Sequence, residues 1–416
     1  MASYSHEEPR RGEALGSGAR APGKSALSGL RGLSILGLWH SIAFRNLLYQ
    51  VLVIGFVVAA AAYMFGNAQS AMEKRGIATG FGFLFEEAGF AIGEGVIAFD
   101  PADSYLRAYG VAILNTLKVS ALSIIGATAL GILLGIARLS SNWAIARLAS
   151  LYVELFRNTP QLLQIVFWYT LITRLPHPRE AWSLFELGFV SNRGLVLAWP
   201  TAHVAHAWMA LALIVGGFAA IALTRWAEQR RRRSGQPTKV LWWNLLLVLG
   251  LPLLAWGLAG APTETSVPAL KGFNFVGGVA LSPEFLALLL GLSLYIAAFI
   301  AEIVRSGIQS VGRGQIEAAE AISLRRIDLY RKVVLPQALR VMVPPAAAQY
   351  VSLTKNSSLG VAIGYPELFN VNNTIVTLSG NTIECIGIMM AVYLTIAFTI
   401  ATVTNLYNRS VQIKER

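Results

Sequence analysis

Apolar residues run along this chain in stretches much longer than a buried globular helix needs, and short intervening segments gather most of the charge. A helix rises about 1.5 Å per residue, so roughly 20 mostly apolar residues cross a hydrocarbon core of about 30 Å. Eight such stretches occur, near 47–65, 112–137, 148–172, 202–224, 240–259, 285–304, 341–362 and 384–405. The pattern predicts an all-α polytopic membrane protein with about eight transmembrane helices. The first 46 residues are rich in Gly, Ala, Ser and Arg and read as a disordered tail. The run after them exceeds the roughly 7 to 15 apolar residues of a cleavable signal, so it reads as an uncleaved first span.

Composition agrees with this picture. The 416 residues are 55% hydrophobic and 13% charged, with a mean hydropathy of +0.56, where a soluble domain carries roughly 25% charged residues. The net charge of +12 raises the question of nucleic-acid binding, and the placement of the basic residues answers it. With the N-terminus inside the cell, the inside segments hold 24 Lys and Arg and the outside segments 7, leaving Lys118, Arg157 and Lys355 within spans. That bias puts both termini in the cytoplasm and makes Arg230 to Arg233 a topological anchor; no nucleic acid is expected as a partner. The segment 66–111, with Glu73, Glu86, Glu87, Glu94, Asp100 and Asp103, reads as an external loop. Cys385 stands alone inside an apolar run and reads as a buried, inert thiol. No long internal repeat is visible, against the repeat architectures of many secondary transporters.

Between the sixth and seventh spans the chain reads Glu317-Ala318-Ala319-Glu320-Ala321-Ile322-Ser323, then Leu324 to Lys332, then Val333-Val334-Leu335-Pro336. Strong helix formers over 316–323 predict a short helix with small side chains at Ala318, Ala319 and Ala321, suited to close contact. Ser323 and the charged residues Arg325, Arg326 and Asp328 predict a break before a second helix, and Pro336 can start or end a helix. The segment resembles the EAA loop of ABC importer permeases: E-A-A, three residues, Gly, nine residues, Ile, one residue, L-P. Ser323 replaces the Gly and Val333 the Ile. Similarity to polar amino-acid permeases of the histidine-permease-like kind extends over Tyr295 to Gln309, Gly314-Gln315, Gln337 to Arg340, Pro344-Pro345, Gln349 to Leu359 and Ile363 to Leu368. In the N-terminal half it covers Asn115-Thr116-Leu117 and Tyr152 to Gln164. Chain length and the external loop resemble the general L-amino acid subgroup.

The resemblance implies a type I ABC importer permease fold. It divides the chain into a cytoplasmic tail 1–46, a first helix 47–65, an external loop 66–111 and a permease core 112–172. An insertion with two added helices, 173–284, would follow, then the core 285–405 with coupling loop 305–340 and a tail 406–416. It also implies partners: an ATPase subunit docking on Glu317, Ala318, Ala319, Ser323, Leu335 and Pro336, a second permease subunit, and an external solute-binding protein. The chain itself would catalyse no covalent step, hold no cofactor or metal, and move amino acids across the inner membrane.

Polar residues within spans mark pathways or ties between helices, so Glu154, Glu302, Gln349, Lys355, Asn356, Ser357 and Ser358 are candidates for either role. An amino acid's carboxylate suits Lys or a helix N-terminus and its ammonium suits Glu or carbonyls; a helix broken near Pro160 would expose both kinds of backbone group. Glu154 and Arg157 are spaced to pair on one helix face. Other signals weigh less. Gly18 to Ser25 formally matches a phosphate-binding loop but lacks the strand and helix that such a loop needs. His203 and His206 read as interfacial anchors, and Glu86 and Glu87 as solvated loop residues. Two other classes stay open at this stage: a secondary transporter or channel without an ATPase, and a membrane-anchored ATP-binding enzyme using Gly23, Lys24 and Ser25.

Overall fold

The computed structural model describes residues 42–74, 80–185, 187–236, 238 and 240–411. The formal phosphate-loop match at Gly18 to Ser25 and most of the N-terminal tail lie outside them. The chain forms two units, 1–77 and 78–416. Of the first, the described part is one helix, α1 (Ile42–Lys74), whose apolar window Phe44–Asn67 has a mean hydropathy of 2.1 and no buried residue. It extends beyond the predicted 47–65 because nothing in Gly66 to Lys74 breaks a helix.

The second unit is built on two long helices, α2 (Tyr105–Ala137) and α7 (Pro283–Gln309). Serine caps start both: the Ser104 hydroxyl accepts from the Arg107 amide and the Ser282 hydroxyl from the Phe285 amide, with Pro283 in the first turn. Water adds no drive to helix pairing inside a bilayer, so close packing must supply it. Glycines provide the fit. A Cβ on Gly131 would lie 2.6 Å from the Ile300 side chain, and one on Gly135 2.7 Å from that of Val304. Other positions on α7 repeat the device, Gly291 meeting Ile165 and Gly307 meeting Met342. α7 is thus the most buried of the long apolar helices, packed by α2, by α3 (Trp143–Asn158) and α4 (Gln161–Thr173), and by α10 (Leu335–Asn356).

Among the described residues six helices are long and apolar enough to span a membrane, against about eight predicted. The two exceptions have clear causes. The predicted span 148–172 is divided into α3 and α4 because Pro160 holds Thr159 extended, at φ −101° and ψ 137°, and ends the first helix. The predicted span 341–362 belongs to a longer helical run: α9 (Arg326–Leu329), a π-turn at Tyr330–Val334, α10, and a 3-10 segment at Ser357–Ile363. Arg340, Gln349, Lys355 and Asn356 interrupt its apolar character. The chain then forms α11 (Leu368–Ser379) and α12 (Thr382–Val411). Cys385 is buried with Leu368, Val371 and Tyr109.

Residues 173–284 contain two apolar helices, α5 (Val204–Ser234) and α6 (Leu241–Leu258), the latter with a central π-turn at Leu246–Gly250. They pack as a hairpin with Gly216 against the Leu247 carbonyl, and Asn244 Nδ2 donates to Thr224 Oγ1 at 2.9 Å. His203 is the N-cap of α5, its Nδ1 accepting from the Ala205 amide at 3.1 Å. Short strands were not foreseen. β1 (Trp182–Leu184), β2 (Gly188–Ser191) and β3 (Gly194–Leu197) form a meander. β4 (Trp199–Pro200) pairs with β5 (Thr265–Ser266), and β6 (Ala269–Lys271) with β7 (Asn274–Val276). β8 (Val279–Leu281) joins β3, matching Leu195 to Leu281 and Leu197 to Val279. Antiparallel pairing therefore closes the base of the hairpin and returns the chain to Ser282, the cap of α7. Runs of three or four residues are too short for periodicity to reveal.

Gly131→Val should force the α2–α7 seam apart and lower the melting temperature of the detergent-purified protein, by about 1–3 kcal/mol of stability. Gly110→Val, at a site in the same helix with open space around it, should change it much less.

Candidate functional site

The predicted break at Ser323 is a well-formed helix stop. α8 (Arg313–Ala321) ends with the Ser323 amide donating to the Glu320 carbonyl at 2.8 Å and the Leu324 amide to the Ala319 carbonyl at 3.2 Å. This pair of bonds defines a Schellman motif, which needs a left-handed residue at the turn. Ser323 occupies it with φ +56°. Glycine adopts that conformation freely and serine does so at a cost. The motif's hydrophobic closure is present as well: Ala319 is buried and Leu324 packs on the same core cluster, with Ile316 beside them.

The burial of α8 separates two roles. Ala319 faces the core, whereas Glu317, Ala318, Glu320 and Ala321 are exposed. Thus one of the three alanines, not all three, makes the close contact expected of the small face. Ile322 extends the outward surface, 72% exposed. Leu335 is exposed and Pro336 half-buried in the first turn of α10. Beside this surface Glu302 accepts from both Arg138 at the end of α2 and Arg305 of its own helix, and Arg138 also donates to Ser150 of α3. Glu302 is therefore a tie between helices.

A second polar locus forms where two helix breaks meet. α4 begins at Gln161 immediately after the Pro160 break, and α10 ends at Asn356, whose side-chain amide donates to Gln161 Oε1 at 2.7 Å. Gln164 reaches back to the Phe156 and Thr159 carbonyls at 3.0 and 3.2 Å, replacing helix bonds lost at the break. Gln161 Nε2 and Gln164 Oε1 are buried without a partner, a state that costs about 1–3 kcal/mol for each group. Ser357 is buried and donates to the Thr354 carbonyl at 2.7 Å; Ser358 donates to the Lys355 carbonyl at 2.8 Å. Lys355 is exposed and Gln349 half-buried. Glu154 is exposed on α3, and Arg157 lies over the Phe299 ring at 5.1 Å, so the expected Glu154–Arg157 pair is not formed.

Toward the opposite end of α2, two separate sequence stretches prove to be partners. Asn115 Nδ2 donates to the Pro366 carbonyl at 2.9 Å and to the Glu94 carbonyl at 2.8 Å, while the Leu368 amide donates to Thr116 Oγ1 at 2.9 Å. Glu94 accepts from Lys118 at 2.8 Å and from Ser282, and Lys118 also sits 4.3 Å from the Phe285 ring centroid. The loop of 80–104 is thereby fastened to α2, to the start of α7 and to the turn before α11. Gln161, Glu94 and Arg138 were not among the sequence candidates. Pro160 marks the place of Gln161, and the Glu302–Arg305 spacing was legible, but partners 164 and 188 residues apart are joined only by folding.

A buried helix pair sealed by glycines, two broken helices meeting through polar side chains and a capped helix-turn-helix at one end define an integral membrane transport component. Residues 127–413 match the family described as binding-protein-dependent transport system inner membrane component, and the chain belongs to it. It is 44% identical over 374 residues to permease protein YhdX of Escherichia coli (strain K12), covering 89% of this chain and 95% of that one. It is 42% identical to the general L-amino acid transport system permease protein AapQ of Rhizobium johnstonii, covering 92% and 96%. With the glutamate/glutamine/aspartate/asparagine transport system permease protein BztB of Rhodobacter capsulatus it shares 36% identity over 92% and 98%.

Ser323→Gly should relieve the left-handed strain and stabilise the turn by about 0.5–1 kcal/mol. Hydrogen exchange at the Ser323 and Leu324 amides should slow accordingly, whereas Ser323→Val should speed it.

Proposed function

We propose that this chain is the membrane-spanning subunit of an importer that carries amino acids across the inner membrane, driven by ATP hydrolysis on a separate subunit docked at α8. The observation that carries the coupling role is the outward face of α8, with Glu317 and Ala318 exposed while Ala319, Ile316 and Leu324 anchor the helix to the core. A partner pressing on that face moves the core with it, because the Schellman turn leaves little slack between α8 and α9. From α9 the helix continues through the π-turn into α10, whose 22 residues extend roughly 33 Å. Its far end is Asn356, which holds the Pro160 break through Gln161. A load at α8 is thus delivered to the polar meeting of two broken helices.

That meeting place suits a zwitterion. The N-terminus of α4 and the unpaired Gln161 amide favour a carboxylate, and the unpaired Gln164 Oε1 favours an ammonium. Asn356, Ser357 and Gln161 are assigned to the substrate path, with Ser358, Lys355 and Gln349 further along it; Glu154, on the exposed side of α3, remains a candidate for its mouth or for subunit contact. The amino-acid cargo is that of the relatives named above, and the family's dependence on a binding protein supplies the external partner. The excess of Lys and Arg between the predicted spans supports a cytoplasmic position for both termini and the α8 end. The stretch 173–284 reads as an insertion closed at its base by the β3–β8 pair, and a second permease subunit completes the assembly.

Glu317→Arg should weaken recovery of the ATPase subunit with tagged protein from native membranes and uncouple ATP hydrolysis from uptake. Undiminished recovery and coupling would remove α8 as the docking element. Asn356→Leu should lower uptake at least about tenfold, the cost of leaving Gln161 unpaired, while the assembly is recovered intact; unchanged uptake would exclude Asn356 from the path.

A further inference from the structure

An apolar cavity of about 770 Å³ opens beside the turn that follows α8, and its chemistry is unlike that of the polar locus at Pro160. Ile136 at the end of α2, Ile145 at the start of α3, and Ile327 and Leu335 on the α9–α10 run form its apolar walls. These side chains are 54%, 47%, 81% and 48% exposed, a concentration that a bilayer or another apolar body would cover. Arg326 and Arg331 share the lining. Neither guanidinium is in an ion pair among the described residues, since Asp328, the carboxylate between them in sequence, is taken by Lys332 at 2.9 Å. The cavity lies where two membrane-length helices end, for α2 stops at Ala137 and α7 at Gln309. At about 50 and 40 Å both helices exceed a hydrocarbon core of about 30 Å, so their ends reach the headgroup layer while the flanking apolar side chains border the acyl chains. An occupant must therefore have apolar chains and an anionic head.

We infer that this cavity binds an anionic phospholipid, its phosphate held by Arg326 and Arg331 and its chains laid on Ile136, Ile145, Ile327 and Leu335, which assigns Leu335 to lipid and leaves the ATPase contact to α8. Charge complementarity selects this occupant, because two guanidiniums without an ion-pair partner among the described residues favour a phospholipid of net negative charge over a zwitterionic or neutral one. Arg331 belongs to the π-turn and Arg326 to the helix just after the Ser323 turn. The lipid would brace the segment that joins α8 to α10. The inference needs a bilayer around the chain and is independent of which solute is carried.

The test is lipid retention measured by native mass spectrometry on the full chain purified in mild detergent with its co-purifying subunits. Phosphatidylglycerol and phosphatidylcholine of identical acyl chains are titrated in competition. Wild type should retain phosphatidylglycerol about tenfold over phosphatidylcholine, the scale expected of two arginines partly screened by salt. Arg326→Gln with Arg331→Gln should bring the two lipids to parity, and Arg313→Gln with Arg225→Gln, outside the cavity, should leave the preference intact. A photo-crosslinker at Ile327 should label lipid. Equal retention by wild type overturns the inference without reference to any variant. So does equal loss in the control pair, displacement of the lipid by inorganic phosphate alone, or crosslinking of Ile327 to a protein subunit or a second copy of this chain. Absence of amino-acid uptake by the wild-type assembly, with lipid preference retained, would count against the proposed transport role and leave the lipid site standing.

Discussion

The close approach of α2 and α7 is the constraint on which the rest of the molecule depends. Gly131 and Gly135 admit Ile300 and Val304 where any side chain would collide, so dispersion forces act across a dry seam without help from water. Once α7 is fixed, its other glycines define where further elements can lie. Gly291 receives Ile165 of α4, and Gly307 receives Met342 of α10. The two broken helices are therefore positioned by a single rigid helix, and the amide contact between Asn356 and Gln161 follows from that placement. The Glu302–Arg138 bridge locks the same seam at one end. The Glu94–Lys118 pair joins the loop of 80–104 to α2 near its other end.

Irregular backbone is concentrated where packing protects it. In an apolar medium each backbone group left without a partner costs several kcal/mol. Gln164 meets that cost at the Pro160 break by donating to the Phe156 and Thr159 carbonyls. Ser357 does the same at the end of α10, through the Thr354 carbonyl. The residual unpaired atoms, Gln161 Nε2 and Gln164 Oε1, lie beside the break.

The turn at Ser323 combines local chemistry with tertiary support. Its two backbone bonds are available to any helix end, yet the left-handed φ of +56° would be readily lost from an isolated peptide with serine there. Burial of Ala319 and packing of Ile316 and Leu324 hold the conformation. A residue less suited than glycine is tolerated because neighbouring contacts outweigh about 1 kcal/mol of backbone strain.

The sequence by itself determined that the chain is a bundle of membrane-length helices and that a helix ends at Ser323, and it marked Pro160 as a place where a predicted span could break. Each of these is a local property: transfer of a continuous apolar run, the length of chain needed to cross hydrocarbon, and the backbone limits imposed by proline. It also marked Asn356 as a polar residue worth watching, though not what it holds. Tertiary structure decided the rest. Whether Glu302 faced solute or a neighbouring helix depended on Arg138, 164 residues away. Which alanine of 318, 319 and 321 turned inward depended on where α8 met the core. The strands of 182–281 were invisible because their pairing energy is shared between β3 and β8, segments too short to carry a pattern and separated by the whole α5–α6 hairpin. Hydrophobic length is written locally, whereas the partner of a polar side chain is set by the packing of helices that meet only in the folded chain.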